Sequence, residues 1–176
     1  MQIIDQYFSK QIQDEIESVL SSNDFPWFFI PETVSGNKES KLPKFKNTKN
    51  TFGFKHFLYD FNEVNSNYFK DFNNLFKFNN LIRAKINLLT PIAGYKKNNH
   101  NQPHVDIDDK EHVTKIYYVN DSDGDTFFFD KNHKLIQRVT PKKGRLIVFN
   151  GLILHAGSNP IKYDRRMVIN INEFRH

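Results

Sequence analysis

His104, Asp106 and His155 are the residues of this sequence whose types and spacing best suit metal chemistry. His104 and Asp106 are separated by one residue, and side chains two apart in an extended strand project to the same side. The predicted buried strand that begins at Arg145 delivers His155 at its far end, just before a loop that contains glycine. Two imidazoles and one carboxylate leave three positions of an ion open, which suits non-haem Fe(II). The three residues therefore predict an iron centre that can activate oxygen.

Arg166 is the second chemical candidate, because it begins the last predicted strand. The apolar face of that strand consists of Met167, Ile169 and Ile171. Arg166 therefore lies on the opposite face, with Asn170, and a guanidinium on a polar interior face needs an anion. Its planar fork suits a carboxylate, for which the distal carboxylate of 2-oxoglutarate is the natural guest. An ion pair with Asp164 or Glu173 is the alternative.

Two helices are predicted in the N-terminal part of the chain. Residues 5–21 and residues 65–77 both place apolar side chains at helical spacing. Residues 25–50 have three prolines, many polar residues and no sustained period, so we expect an irregular segment there.

From Leu81 onward the apolar residues alternate with polar ones, which is typical of strands. The first predicted strand, residues 82–88, has an apolar face and a polar face that carries Arg83, Lys85 and Asn87. The later predicted strands are His112 to Val119, Thr126 to Asp130, Lys134 to Val139, Arg145 to Phe149 and Arg166 to Glu173. Helices followed by short strands favour an α+β fold with a jelly-roll core at about residues 81–176 and a helical part at about residues 1–80. We expect one domain, because 176 residues are an ordinary domain length.

The composition excludes several classes of protein. The chain has no cysteine, so a disulfide framework and a thiolate zinc site are excluded. Acidic residues interrupt the N-terminus, and no apolar stretch is long enough for a membrane helix. We therefore expect a cytoplasmic protein that does not bind membranes.

The chain carries a formal net charge of +5. Lysines between Lys38 and Lys49, together with Lys142, Lys143 and Arg145, supply much of this charge. A basic patch can bind nucleic acid, but the Lys38 to Lys49 stretch lacks the interleaved aromatic residues that single-strand binders use. Nucleic acid is therefore a possible partner that the sequence does not favour.

Three segments carry a resemblance to a known family: QPHVD, TKIYYVNDSDGDTFFF and PKKGRLIVFNGLILHAGSNPIKYDRRMVININEF. They resemble the prolyl-hydroxylase-like branch of the Fe(II)/2-oxoglutarate oxygenases. The family pattern of HxD, a distal histidine and an arginine at the head of the last strand matches in order and spacing. The N-terminal residues, including FPWFF, resemble short oxygenases of phages.

The resemblance implies a double-stranded β-helix fold and a set of site residues. It implies iron ligands at His104, Asp106 and His155, and it places Arg166 on the C5 carboxylate of 2-oxoglutarate. It also implies that the Tyr118 hydroxyl touches that carboxylate. Asn87 stands where animal prolyl hydroxylases often have a tyrosine, and we include it as a further candidate for binding the cosubstrate.

The implied activity is hydroxylation of an unactivated C–H bond, with Fe(II), O2 and 2-oxoglutarate required and ascorbate as a supporting reductant. The expected substrate is a prolyl or other amino-acid side chain, in a peptide or as a free amino acid. One alternative is a dioxygenase that modifies nucleic acid, which would need a pocket for a flipped base. Another is a non-catalytic metal-binding jelly roll that serves as an interaction module, although such a module has no need of Arg166 as an anion clamp.

Overall fold

The computed structural model describes residues 1–34, 45–107 and 111–175 of the chain. These residues form two α-helices, α1 (Lys10–Leu20) and α2 (Phe69–Phe76). They also form the strands β1 (Gln2–Ile4), β2 (Phe28–Ile30), β3 (Gly53–Asp60), β4 (Glu63–Val64), β5 (Leu81–Leu89), β6 (His112–Tyr118), β7 (Thr126–Phe129), β8 (Leu135–Val139), β9 (Leu146–Asn150), β10 (His155–Gly157) and β11 (Arg166–Phe174). Among the residues that the structure describes, neither helix is long and apolar enough to cross a membrane.

The strands form two antiparallel sheets. The larger sheet has the order β1-β9-β6-β11-β5-β3-β2, with β4 attached to β3, and the smaller sheet has the order β10-β7-β8. Side chains from both sheets make one buried cluster between them, which includes Ile116, Phe128, Phe149 and Val168. The predicted α+β fold with a jelly-roll core is therefore confirmed.

The two helices cover the outer face of the larger sheet. Ile16 and Leu20 of α1 and Phe72 and Phe76 of α2 pack in one cluster with the apolar face of β5 and β11. Met167, Ile169 and Ile171 belong to this cluster, as their alternation predicts. The polar face of β5 and β11 consequently points between the sheets, where it is available for a site.

The prediction of a helical N-terminal part was incomplete, because residues 1–80 also contribute β1 to β4. β3 pairs with β5, and β1 pairs with β9, so both extend the larger sheet. The predicted helix at residues 5–21 begins at Lys10, where the Ser9 side chain accepts a hydrogen bond from the Ile12 amide. The second helix is shorter than predicted and ends at Phe76, after which Lys77 adopts a left-handed backbone conformation.

Candidate active site

His104 and His155 lie directly opposite each other in an isolated antiparallel bridge. Each backbone amide donates to the carbonyl of the other residue at 3.0 Å, and the two ring centroids are 4.9 Å apart. His104 lies in the connection between β5 and β6 rather than in a longer strand, and His155 begins β10 after a turn rather than ending β9. These two placements correct the local structure predicted for the histidines.

Asp106 completes the predicted group. One ligand atom from each of His104, Asp106 and His155 can be chosen so that all lie within 4.8 Å of one another. The Nε2 atoms of His104 and His155 are 3.8 Å and 3.5 Å from the two carboxylate oxygens of Asp106. Three donors at this separation can surround one cation.

Both imidazoles have the tautomer that a metal ligand needs. His104 Nδ1 faces the Gln102 carbonyl at 3.1 Å, and His155 Nδ1 faces the Ile153 carbonyl at 3.0 Å. A carbonyl only accepts hydrogen bonds, so each Nδ1 carries the proton and each Nε2 keeps a free lone pair. Burial and the neighbouring His155 lower the pKa of His104 to about 4, so His104 is neutral at pH 7.

The Asp106 carboxylate is fully buried and is bound by four further side chains. Arg83 Nη2 donates to Oδ1 at 3.1 Å, and the Lys85 ammonium lies 3.5 Å from the same oxygen. Asn170 and Asn172 donate to Oδ2 at 2.9 Å and 3.2 Å. Oδ1 therefore faces two cations and Oδ2 two amides, which fixes the orientation of the carboxylate.

These contacts decide the protonation state of Asp106. Burial alone would raise the pKa of this carboxyl, but the positively charged Lys85 ammonium holds the pKa well below its usual range. Burial lowers the pKa of Lys85, and Asp106 opposes that shift. Arg83 and Lys55 lower the pKa of Lys85 further, since both are like charges.

Arg83 and Lys85 were not predicted as site residues. The alternation in β5 had placed them on the polar face, and that face points toward the site, so the signal was present. What a single strand could not reveal was that Asp106, in a separate connection, would be their partner.

Arg166 is buried and lines the same cavity as His104 and His155. Its Nε donates to the Gly124 carbonyl at 2.7 Å, and its Nη2 donates to Thr126 Oγ1 at 2.8 Å. Glu173, a predicted alternative partner, instead pairs with Lys115. The ion pairs of the described residues do not include Arg166, which leaves its positive charge available to an anion in the cavity.

Tyr118 and Asn87 take different places around this cavity. Asn87 lies on its wall. Tyr118 is fully buried behind the wall, with its hydroxyl 2.7 Å from Thr126 Oγ1. Thr126 lines the cavity, and its hydroxyl accepts a hydrogen bond from Arg166. Thr126 was not predicted as a site residue. A direct contact between Tyr118 and the cosubstrate stays a prediction.

The cavity has a volume of about 80 Å³ between the two sheets. Its polar lining includes Lys85, Asn87, Asn101, His104, Thr126, His155, Arg166 and Asn170. One end thus offers metal-binding nitrogens and the wall offers a guanidinium, an arrangement that can hold a small dicarboxylate together with a cation.

The basic residues Lys142, Lys143 and Arg145 are largely neutralised by the N-terminal part of the chain. Lys143 lies 2.6 Å from both Asp14 and Glu17, and Arg145 lies 2.6 Å from Asp5. The other predicted basic stretch, Lys38 to Lys49, lies outside the described residues as far as position 44. The basic patch of Lys142, Lys143 and Arg145 is thereby a weaker argument for binding nucleic acid.

The sequence of residues 90–172 matches the model of the 2OG-Fe(II) oxygenase superfamily. This region contains His104, Asp106, His155 and Arg166. The match confirms the resemblance stated above, and with it an enzyme of the oxygenase class. The family uses Fe(II), 2-oxoglutarate and O2, which the donor set of the site suits. A comparison with curated proteins finds no match.

Solved structures with the same fold cover almost the whole chain. A prolyl-4-hydroxylase of Pseudomonas putida is 16% identical, with a TM-score of 0.62 over 99% of this chain and 92% of that one. An oxidoreductase of the 2OG-Fe(II) oxygenase family from Burkholderia pseudomallei is 12% identical, with a TM-score of 0.67 over 99% and 84%. A prolyl hydroxylase of Trichoplax adhaerens, solved with a peptide fragment of the hypoxia inducible factor oxygen degradation domain, is 14% identical, with a TM-score of 0.60 over 98% and 82%. At these identities the similarity shows the jelly-roll fold.

Proposed function

We propose that this chain, an oxygenase of the 2OG-Fe(II) superfamily, hydroxylates an amino-acid side chain, with a prolyl residue of a peptide as the favoured substrate. The observation that carries the proposal is the meeting of His104, Asp106, His155 and Arg166 around one cavity. A free amino acid is the other substrate that this site could accept.

In this proposal His104, Asp106 and His155 hold Fe(II). The two Nε2 lone pairs and the ionised carboxylate are the ligand types that iron of this class takes. Arg83, Lys85, Asn170 and Asn172 hold the Asp106 carboxylate in place, and such outer contacts orient a metal ligand. The bound iron, with 2-oxoglutarate and O2, supplies the oxidation that converts the cosubstrate to succinate and carbon dioxide and hydroxylates the substrate.

Arg166 binds the distal carboxylate of 2-oxoglutarate. Its Nε and Nη2 are already fixed on Gly124 and Thr126, so the guanidinium is oriented before the ligand arrives. Its Nη1 lies beside Gly157, where an added Cβ would come within 3.3 Å of that nitrogen. Glycine at this position therefore leaves the charged group room at the cavity wall, and the carboxylate can take a charge-assisted hydrogen bond there.

The preference for a prolyl substrate rests on two observations. Two of the similar structures are described as prolyl hydroxylases, and one of them was solved with a peptide fragment. The apolar residues Ile30 and Val34 lie at the cavity next to its polar groups, and they can pack against a pyrrolidine ring. We keep the cytoplasmic location as part of the same proposal.

The proposal is tested with paired synthetic peptides that differ by proline or alanine at the centre. Wild type and His104→Ala are incubated with Fe(II), ascorbate, 2-oxoglutarate and O2, and succinate and peptide mass are measured together. We expect the proline peptide to gain the mass of one oxygen atom, with one succinate formed for each hydroxylation, only in the wild type. Free proline and the other free amino acids, tested in parallel, identify a small-molecule substrate. If neither kind of substrate stimulates succinate formation, the proposal of an amino-acid side chain is wrong.

A further inference from the structure

A second groove opens beside the catalytic cavity on the same face of the larger sheet. This outer groove has a volume of about 220 Å³ and is lined by Phe28, Lys55, Phe57, Asp60 and Asn65. It belongs to β2, β3 and the residues after β4, whereas the cavity wall nearest to it belongs to β5.

The strand register places the outer groove next to the cavity, on the same face of the larger sheet. Lys55 pairs with Asn87, and Phe57 pairs with Lys85, across β3 and β5. Residues directly opposite each other in an antiparallel pair project to the same face. Since Asn87 and Lys85 line the cavity, Lys55 and Phe57 extend the same surface outward by one strand spacing, about 4.8 Å.

The junction between the outer groove and the cavity carries surplus positive charge. The ion pairs of the described residues give Lys55 no carboxylate, and its ammonium lies 4.7 Å from the centre of the Phe57 ring. Lys85 has Asp106 as its partner, and a cation bound to Asp106 would compete for that same carboxylate. Asp60, the carboxylate of the outer groove, lies opposite Arg83 in the register. Three cations, Lys55, Lys85 and Arg83, thus stand near two carboxylates, Asp60 and Asp106.

Apolar surface lies next to these two ammonium groups. The Phe28 side chain is 58% exposed, although Phe28 belongs to a strand of the sheet. Phe57 is half-buried and faces the same groove. An exposed aromatic ring beside an unpaired cation suits a ligand with both an apolar part and a negative charge.

We infer that the outer groove binds the peptide next to the hydroxylated residue, and that Lys55, with Lys85, receives an Asp or Glu carboxylate of that peptide. This inference rests on the proposed function and specifies its substrate as an acidic peptide. An extended peptide advances about 3.3 Å per residue, so the carboxylate belongs one or two residues from the hydroxylated position. Phe28 and Phe57 pack against the apolar part of the same segment.

The inference is tested by binding, in the absence of oxygen, with Fe(II) and 2-oxoglutarate present. Three sets of labelled peptides share a central proline. The sets carry Asp, Asn and Lys, respectively, placed in turn at each of the two positions before and the two positions after the proline. We expect one Asp peptide to bind wild type about 10-fold more tightly than its Asn counterpart, which corresponds to about 1.4 kcal/mol. Raising the salt concentration should reduce that difference.

Charge reversal at one residue gives the decisive comparison. Lys55→Glu should lose the preference for Asp and prefer the Lys peptide, whereas Lys162→Met, which removes an exposed lysine elsewhere, should keep the wild-type order. Phe28→Ser should weaken all peptides several-fold without changing their order. Equal binding of the Asp and Asn peptides by wild type, no binding of any Asp peptide, or an unchanged order in Lys55→Glu would overturn the inference.

The two proposals fail in different ways. If neutral proline peptides are hydroxylated as well as acidic ones, the proposed function stands and the acidic specificity is wrong. If an Asp peptide binds through Lys55 but no peptide or amino acid stimulates succinate formation, the binding groove stands and the proposed hydroxylation is wrong.

Discussion

At the residue scale, Asp106 is held by more groups than its proposed role as a metal ligand alone would require. Two cations and two amides contact a carboxylate that has no exposed surface. The carboxylate therefore balances charge in the metal-free protein and can ligate a cation without reorientation. Balancing the charges of Arg83 and Lys85 and ligating a metal ion make different demands on Asp106, so a substitution can separate the two functions.

Asp106→Asn should abolish Fe(II) binding and turnover while the protein remains folded. The variant keeps the shape of the side chain but leaves Arg83 and Lys85 without their counter-charge. Both cations retain some exposure, 14% and 18% of their side chains, so water can partly replace the carboxylate. We expect a loss of about 1–3 kcal/mol in the free energy of unfolding, measured with urea on chelator-treated protein.

The matched control is Asp164→Asn, which changes an exposed carboxylate and should leave both properties unchanged. Fe(II)-dependent turnover by Asp106→Asn would contradict its role as a ligand. Complete unfolding of that variant would instead indicate a structural site.

Thr126 and Tyr118 offer a second test at this scale, because only one of their hydroxyls lies at the cavity wall. Thr126→Val removes an acceptor of Arg166 and should raise the KM for 2-oxoglutarate about 10-fold, the equivalent of one hydrogen bond of about 1.4 kcal/mol. Tyr118→Phe removes a hydroxyl that contacts Thr126 without lining the cavity, and it should raise KM less. Steady-state succinate formation measures both. A larger effect of Tyr118→Phe would support the direct contact that the sequence predicts.

At the scale of elements, the helices and the site lie on opposite faces of the larger sheet. Leu20 of α1 is 1% exposed and packs in the cluster under the helices. Leu20→Ala should lower the free energy of unfolding by about 2–5 kcal/mol, yet leave the KM for 2-oxoglutarate unchanged. The adjacent Val19 is 40% exposed, so Val19→Ala is the control and should change stability by less than about 0.5 kcal/mol. A changed KM in Leu20→Ala would mean that helix packing is coupled to the cavity.

The strands of the jelly roll could be predicted because their alternation is local. The predicted strand at residues 82–88 is β5, and the predicted strand from Arg166 is β11, each with the faces assigned from sequence. β1 and β3 were missed for physical reasons. β1 has three residues and exists through its pairing with β9, while β3 buries His56 among its apolar residues, which obscures the pattern.

Site residues could be predicted where they belong to a known sequence pattern, and not where their role depends on how the strands pair. His104, Asp106, His155 and Arg166 could be named because their types and order match a known pattern, and the structure brings all four to one place. Arg83, Lys85 and Thr126 could not be named, because their importance depends on strand register. Register is set by long-range pairing that no single segment reveals.

At the scale of the whole molecule, buried titratable groups make stability depend on pH. Burial lowers the pKa of His104 to about 4 and also lowers the pKa of His100, from ordinary values of 6.5. Between these values the unfolded chain binds protons that the folded protein does not, so the free energy of unfolding falls as the pH decreases from about 6.5 toward 4. Asp106, with its lowered pKa, adds a further loss below pH 3.8.

This dependence is measured by urea unfolding of chelator-treated protein at a series of pH values. His104→Gln should show a shallower slope than wild type between pH 6.5 and 4, because it removes one of the two histidines responsible. The slopes are compared, rather than the absolute stabilities, since the substitution itself changes packing. An identical slope would mean that His104 titrates normally in the folded protein.

The one-domain organisation of residues 1–176 stays a prediction, and so do the roles of the individual site residues. Charged and polar groups link these regions of the molecule: a carboxylate and two imidazoles at the proposed iron site, a buried guanidinium on the cavity wall, and two ammonium groups toward the outer groove. The polar face of the larger sheet places Lys55, Lys85 and Arg166.

The central claim is that His104 and Arg166 serve one iron- and 2-oxoglutarate-dependent reaction, and succinate formation tests it most directly. Anaerobically purified protein is supplied with Fe(II), ascorbate, O2 and increasing 2-oxoglutarate, and wild type is compared with His104→Ala and Arg166→Ala. We predict iron-dependent succinate from wild type, none from His104→Ala at any cosubstrate concentration, and recovery of Arg166→Ala at high 2-oxoglutarate. Equal succinate formation by wild type and His104→Ala, or a defect in Arg166→Ala that cosubstrate never relieves, would contradict the account.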